Sequence, residues 1–227
     1  MSMIQRFFEK TDESNAYLFD RLKISEYPEC MQYQGQYPVI SLSLKSMKQG
    51  SYKDAFHMFK VLIAREYDRH KDILKNGKIS DSERDLFHSI LTQKAEDAFY
   101  LDSIKFLSDI MVKYYNKNVI ILIDEYDVPL ENASHQGFYT DMVNLIRSVF
   151  ESALKTNPSL DRAFLTGCLR ISKESIFTGL NNLQIFSIMS TKFDDSFGFT
   201  QEEINVMLEC YDLTCLLYTS DAADEAR

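Results

Sequence analysis

Three carboxylates follow the most apolar run of the chain. The stretch VIILIDEYDVPL, residues 119–130, places Asp124 and Glu125 directly after five aliphatic residues, and Asp127 follows two positions later. Adjacent carboxylates can hold a hydrated divalent cation and can activate a water molecule as a nucleophile. The stretch therefore indicates metal-assisted hydrolysis, provided that the surrounding elements hold these side chains in place.

The aliphatic run predicts the element that positions the carboxylates. Residues 119–123 show no polar alternation, which is typical of a central strand of a parallel sheet that helices cover on both faces. Ligands of such sheets bind beyond the carboxyl ends of the strands, where Asp124 and Glu125 would lie. This is the pattern of a Walker B strand, in which Asp124 holds Mg²⁺ and Glu125 polarises the attacking water. The structural alternative is a strand that ends in a solvated acidic turn.

A phosphate-binding loop to accompany this strand is absent from the sequence. A Walker A loop needs Gly-Lys followed by Ser or Thr. The only Gly-Lys pair, at residues 77–78, is followed by Ile79, and Asp72 stands where the first glycine of the motif belongs. This segment is predicted to be a turn between two helices.

Both ends of the chain are expected to depart from a complete domain. The stretch MSMIQRFFEK, residues 1–10, has its apolar residues on one helical face without a preceding cap. We therefore expect the chain to begin inside a helix, truncated at the N-terminus so that the first strand and the phosphate loop are missing. Residues 215–227, CLLYTSDAADEAR, resemble a translated sequencing adapter and are expected to be a non-native tail.

Composition favours a cytoplasmic globular protein. The 227 residues are 45% hydrophobic, which is enough for one sizeable core. No apolar run approaches the roughly 20 residues that cross a bilayer, and there is no signal peptide, so no membrane partner is expected. The cysteines and histidines show no metal-binding spacing. The net charge of −9 disfavours a direct nucleic-acid site in this chain.

Strand and helix patterns alternate along the chain, which predicts a three-layer α/β/α sandwich. Helical stripes of apolar residues and capping residues such as Ser80 or Ser82 mark the helices. The capping box Thr-x-x-Glu at Thr200 opens a last helix. The predicted strands are Tyr37–Leu44, Val119–Ile123, Arg162–Arg170 and Leu183–Met189, and the predicted helices lie at residues 52–74, from 80 or 82 onward, 97–115, 138–155 and from 200 onward.

Three blocks resemble the AAA-ATPase-like family of bacterial proteins. They are VIILIDEYDVPL, LTGCLRISKESIFTGLNNLQIFSI and FGFTQEEI, in this order, and the resemblance extends from Met1 to about Leu213. It implies a P-loop NTPase-like sandwich with a mainly parallel sheet. Its partial ATPase core would span residues 1–199, and a helical lid would begin at 200–214, before the tail at 215–227. Members often carry a PD-(D/E)XK nuclease-like domain after the ATPase part, which makes such a domain a possible partner in the parent chain.

The resemblance also implies roles for individual residues. It assigns Asp124 to Mg²⁺ and Glu125 to the attacking water of ATP hydrolysis. Arg170 would end the next strand as a catalytic sensor near the γ-phosphate of ATP, and a salt bridge to a neighbouring carboxylate is its alternative. Asp127 would support the cofactor site. Without a phosphate loop the chain itself is predicted to be inactive, and a degenerate P-loop scaffold that mediates protein contacts without hydrolysis is the alternative function.

Overall fold

The structure, a computed structural model, describes residues 1–75, 77–168, 176–177, 183–187, 190 and 198–211. The chain divides into two compact units, Met1–Asn181 and Asn182–Arg227. Within the described residues no helix is long and apolar enough to cross a membrane. The α-helices are α1 (Ser2–Phe8), α2 (Pro28–Met31), α3 (Tyr52–Arg69), α4 (Asp81–Leu91), α5 (Asp97–Leu101), α6 (Ser103–Tyr115), α7 (Val128–Gln136), α8 (Tyr139–Phe150) and, in the second unit, α9 (Gln201–Cys210).

A parallel sheet lies at the centre of the first unit. Its strands are β1 (Val39–Ser43), β2 (Val119–Asp124) and β3 (Leu160–Leu165), in the order β1-β2-β3. The aliphatic run therefore forms the middle strand, as predicted, and its residues 119–123 are at most 1% exposed. Both neighbours of β2 run parallel to it, so the carboxyl ends of all three strands meet at one edge, which we call the carboxyl edge.

Helices cover both faces of the sheet. Ile121 and Ile123 point into the large core that also contains buried residues of α3 to α8. Ile120 and Leu122 belong to a smaller cluster with residues of α1. This alternation along β2 buries every residue of the run because each face has its own helical layer. The three-layer α/β sandwich predicted from the sequence is thereby confirmed.

Two helix starts are confirmed by their caps. The Ser80 hydroxyl accepts from the backbone N–H of Glu83, whose carboxylate accepts in turn from the N–H of Ser80, and α4 begins at the next residue. Thr200 and Glu203 form the same reciprocal pair at the start of α9. Both pairs satisfy backbone donors that the first turn of a helix leaves without partners.

Some predicted element boundaries are wrong. The helix predicted at 97–115 breaks at Asp102, because the Ser103 hydroxyl donates to the Tyr100 carbonyl at 2.7 Å and the Tyr67 hydroxyl donates to the Ser103 carbonyl at 2.7 Å. α3 ends at Arg69 rather than at residue 74, and a separate 3₁₀ turn follows it. α8 ends at Phe150, and residues 151–155 continue as one π-helical turn.

Helix α7 was missed in the sequence, although its ends are marked. Pro129 occupies its first turn, and Gly137 ends it in the left-handed region with φ 84°. Proline inside the start and glycine just beyond the end are typical helix boundaries. The helix matters for the carboxylates, because it begins directly after Asp127.

The last two predicted strands differ from the structure. β3 begins at Leu160 and ends at Leu165, and its second and third residues are exposed, so the predicted buried strand Arg162–Arg170 was wrong at both ends. Among the described residues no strand pairs with the outer edge of β3. Residues 183–187 belong to no strand, and 188–189 lie outside the described residues.

An ionic cluster of three buried residues and one partly exposed arginine covers the outer edge of β1. We define it as Glu9, Glu66, Arg69 and His70. Glu66 accepts from the backbone N–H of Ser41 at 2.8 Å and from Arg69 at 2.5 Å. The guanidinium of Arg69 also contacts Glu9 and donates to the Val39 carbonyl at 2.7 Å. These contacts occupy backbone groups of an edge strand that would otherwise be open for pairing.

Candidate functional site

A row of polar side chains crosses the carboxyl edge on one face of the sheet. Ser43 pairs with Asp124 in the register of β1 and β2, and Thr166 follows Leu165, the partner of Ile123. Alternation along each strand puts the three polar residues on the face that α1 covers. The row therefore results from strand register, because its members are far apart in the chain.

Asp124 is held by Thr166. The Thr166 hydroxyl donates to the Oδ1 atom of Asp124, and the Thr166 N–H donates to the Ile123 carbonyl at 3.0 Å. In the part of the chain that the structure describes, no other group donates a hydrogen bond to the Asp124 carboxylate. The hydroxyl thus orients one carboxylate oxygen and leaves the second available to a ligand.

Glu125 departs from strand geometry. Its φ is 54°, in the left-handed region that a residue with a Cβ atom seldom occupies. The next residue returns to the sheet, since the Tyr126 N–H donates to the Thr166 carbonyl at 3.1 Å. The Glu125 side chain is half-buried, and within the described ranges it makes no ion pair. The turn at this residue places two adjacent carboxylates at the carboxyl edge without continuing the strand alternation.

Asp127 is buried beneath Gly167, the second residue after β3. It is 2% exposed and precedes α7, where its carbonyl accepts from the Glu131 N–H at 2.9 Å. Gly167 lies directly over it, because a Cβ atom at Gly167 would come within 2.8 Å of the Asp127 Oδ1 atom and 3.0 Å of the Tyr126 ring. Only glycine allows this close approach of backbone to side chain.

We expect Gly167→Ala to destabilise the protein by about 1–3 kcal/mol, because the methyl group overlaps Asp127 and must displace it. Gly50→Ala is the matched control, since a Cβ atom there meets nothing within 4 Å. Urea denaturation of both variants measures the difference. Equal stability of the two variants would show that the contact at Gly167 is not tight.

The residues at the carboxyl edge fit a magnesium ion. Within the described residues no group of three or more His, Cys, Asp or Glu side chains is placed to hold a metal by itself. Mg²⁺ does not require such a group, because in nucleotide sites it keeps several waters and binds one or two carboxylates together with substrate phosphates. Asp124, with one oxygen oriented by Thr166, has a hard carboxylate oxygen of the type that this coordination uses.

The structure brings together some of the residues predicted from the sequence. Asp124 and Glu125 lie at the carboxyl edge, and Asp127 is buried beside them. Arg170 lies outside the residues that the structure describes. Thr166 and Gly167 were not singled out, although they are the first polar and the first small residue after β3. They extend the register that pairs Leu165 with Ile123, so they stand opposite Asp124, the end of β2, and Glu125.

Comparison with known proteins gives the chain a family. The family described as "AAA-ATPase_like: Predicted AAA-ATPase" matches residues 1–177. A relative from Azotobacter chroococcum mcd 1, "Uncharacterized protein in vnfD 5'region", is 28% identical over 92 residues. The matched segment is 40% of this chain and 18% of that protein, so the chain spans only a small part of the relative. No solved structure matches the chain.

The family match covers most of the chain, including all three strands and the carboxylates at their ends. The α/β fold with a parallel sheet agrees with it. The chain therefore belongs to the AAA-ATPase-like family.

Proposed function

We propose that this chain provides the Mg²⁺-binding and water-activating part of an ATP-hydrolysing domain. The observation that carries the proposal is the pair of carboxylates at the end of the central parallel strand, one of them oriented by the Thr166 hydroxyl. The phosphate-binding loop that ATP hydrolysis requires would come from a longer protein that contains this chain. A nuclease-like domain in that protein is the partner that the family resemblance favours.

The two carboxylates have different tasks in this proposal. Asp124 would hold the hydrated Mg²⁺, which neutralises charge on the β- and γ-phosphates of ATP when it is bound. Glu125 would accept a proton from the attacking water or orient it. The burial of β2 serves both tasks, because a strand fixed on both faces keeps the carboxylates in place with little freedom to move.

Asp127 and Arg170 are assigned supporting and sensing tasks. The carboxylate of Asp127 is buried beneath Gly167, which favours a role in holding the segment after β3 in position rather than direct contact with ATP. Arg170 follows Gly167 by three residues in sequence, and its guanidinium would stabilise charge that develops on the γ-phosphate.

We expect the 227-residue chain alone to show no measurable ATP hydrolysis and at best weak nucleotide binding. Backbone N–H groups of a phosphate loop supply most donors to the β- and γ-phosphates, and the sequence contains no such loop. Isothermal titration with ATP and Mg²⁺ tests this expectation. Tight, Mg²⁺-dependent binding would show that phosphate is bound by residues other than a Walker A loop.

The decisive experiment uses a natural longer protein that contains both a phosphate loop and this chain. Mg²⁺-dependent release of phosphate from ATP, lost on substitution of Glu125, supports the proposal. Full nucleotide binding without hydrolysis would instead identify a scaffold that uses ATP only as a ligand.

A further inference from the structure

Three aromatic rings pack beside the carboxylates. We call Tyr126, Phe150 and Phe177 the aromatic cluster. The Tyr126 ring meets Phe177 edge to face at 5.3 Å and Phe150 at 6.3 Å, and these two phenyl rings stack at 6.2 Å. Aromatic pairs in these geometries stabilise a protein by more than the burial of their apolar area alone. The cluster joins three separate parts of the chain, because Tyr126 follows β2, Phe150 ends α8 and Phe177 follows β3 by twelve residues.

Tyr126 is restrained both at its backbone and at its ring. Its N–H donates to the Thr166 carbonyl at 3.1 Å, and a Cβ atom at Gly167 would lie 3.0 Å from its ring. Burial, and then the charge of Asp127, raise the pKa of Tyr126, so its hydroxyl stays neutral at physiological pH. Ile176, next to Phe177, is 1% exposed, which fixes the second side of the cluster in the core.

Glu125 precedes the restrained Tyr126 and has an unfavourable backbone conformation. A non-glycine residue in the left-handed region is strained, and strain persists only where neighbouring structure imposes it. Glu125 has φ 54° between Asp124, which ends β2, and the restrained Tyr126. Loss of the ring contacts of Tyr126 would leave the backbone bond to Thr166 as the remaining restraint described on this residue. Residue 125 would then relax more easily and carry its carboxylate away from Asp124.

We infer that Tyr126 is a positioning residue for Glu125, and that the aromatic cluster holds Glu125 in its left-handed conformation. The inference rests on the proposed function for its catalytic meaning, because the carboxylate so positioned is the one assigned to the attacking water. It also connects Phe177 to the site, since the Phe177 ring contacts the side chain next to Glu125.

A stability cycle on the chain as it exists tests the conformational part. Glycine adopts positive φ without strain and alanine does not, so Glu125→Gly should melt about 2–4 °C above Glu125→Ala, the reverse of their usual order. Combined with Tyr126→Leu, the same pair should differ by less than about 1 °C, because residue 125 is then released. Tyr126→Phe keeps the ring and should keep the full difference.

Two further variants make the cycle decisive. Phe177→Leu removes the ring on the other side of the cluster. It should also abolish the difference in melting temperature between Glu125→Gly and Glu125→Ala, which we call the gap. This variant provides the test if Tyr126→Leu fails to fold. Tyr114→Leu is the control, since Tyr114 packs on Tyr115 at 4.7 Å at the end of α6, next to the start of β2. It should lower the melting temperature and leave the gap unchanged. A gap that is absent at the outset, or that survives both cluster variants, overturns the inference.

Catalysis by a longer, loop-containing protein tests the functional part. Tyr126→Leu should lower kcat about tenfold or more with KM for ATP unchanged, because a misplaced base slows the chemical step without weakening binding. Tyr126→Phe, which keeps the ring, should have the kcat of the wild-type protein. If the wild-type protein hydrolyses ATP and Tyr126→Leu has an unchanged kcat, the positioning role is overturned while the proposed function stands. If the wild-type protein hydrolyses no ATP, the proposed function fails, and the melting temperatures still decide whether the cluster holds residue 125.

Discussion

Glu125→Gln, introduced into a longer protein that contains the phosphate loop, is expected to keep ATP and Mg²⁺ bound while lowering turnover by about 10²-fold or more. Glutamine has nearly the same size as glutamate and leaves the backbone of residue 125 unchanged. Its neutral amide, however, cannot accept a proton from the attacking water. Steady-state phosphate release measures turnover, and titration of a fluorescent ATP analogue measures binding.

Asp124→Asn is expected to affect Mg²⁺-dependent binding of ATP rather than turnover. A neutral amide is a poorer partner for the hydrated ion, so binding of ATP should lose its dependence on Mg²⁺. Glu131→Gln is the matched control, because Glu131 is exposed in the first turn of α7 and has no assigned role. If Glu125→Gln hydrolyses ATP at the parental rate, the catalytic assignment is wrong and the three carboxylates are an acidic strand end.

Arg69→Met is expected to destabilise the protein by about 3 kcal/mol at neutral pH. The substitution removes the cation that contacts two carboxylates, Glu9 and Glu66, whose side chains are 8% and 7% exposed. Buried carboxylates without a cation cannot recover their lost hydration. Arg162→Met is the control, because Arg162 and Asp161 form an exposed pair of the kind that contributes about 1 kcal/mol or less.

The loss of stability caused by Arg69→Met should depend on pH. Burial alone raises the pKa of Glu66, but hydrogen bonds from His70 and Arg69 outweigh burial and hold this pKa below its ordinary value. The folded state then binds fewer protons than the unfolded state, so this stabilisation is complete above the ordinary glutamate pKa, about 4.3, and is lost as the pH falls through the folded pKa. Urea denaturation at pH 7 and near pH 3.5 should show the difference between wild type and variant shrink at the lower pH. A difference that does not change with pH would mean that Arg69 stabilises the fold by packing and not by charge.

The strand that carries the carboxylates could be predicted from sequence because its signal is local. Five consecutive aliphatic residues specify a strand buried on both faces, and the polar residues that follow must lie at its end. The capping box at Thr200 was equally predictable, and the cap of α4 was narrowed to Ser80 or Ser82, because both partners of such a pair lie within three residues of one another. The family resemblance rests on the same kind of contiguous motif.

Other features depended on contacts between distant segments. Thr166 reaches Asp124 across 42 residues of sequence only because the register of β2 and β3 aligns their ends. Gly167 likewise approaches Asp127 only because the chain after β3 packs on the start of α7. Glu66 reaches the backbone of β1 only because α3 packs beside this strand.

The conformation of Glu125 was decided in the same way. Local preference disfavours a left-handed glutamate, so nothing in the order of residues predicts its φ of 54°. Sequence by itself therefore determined which strand carries the carboxylates and where that strand ends. Tertiary structure decided how the carboxylates are oriented, because orientation comes from neighbours that register and packing, rather than chain proximity, bring together.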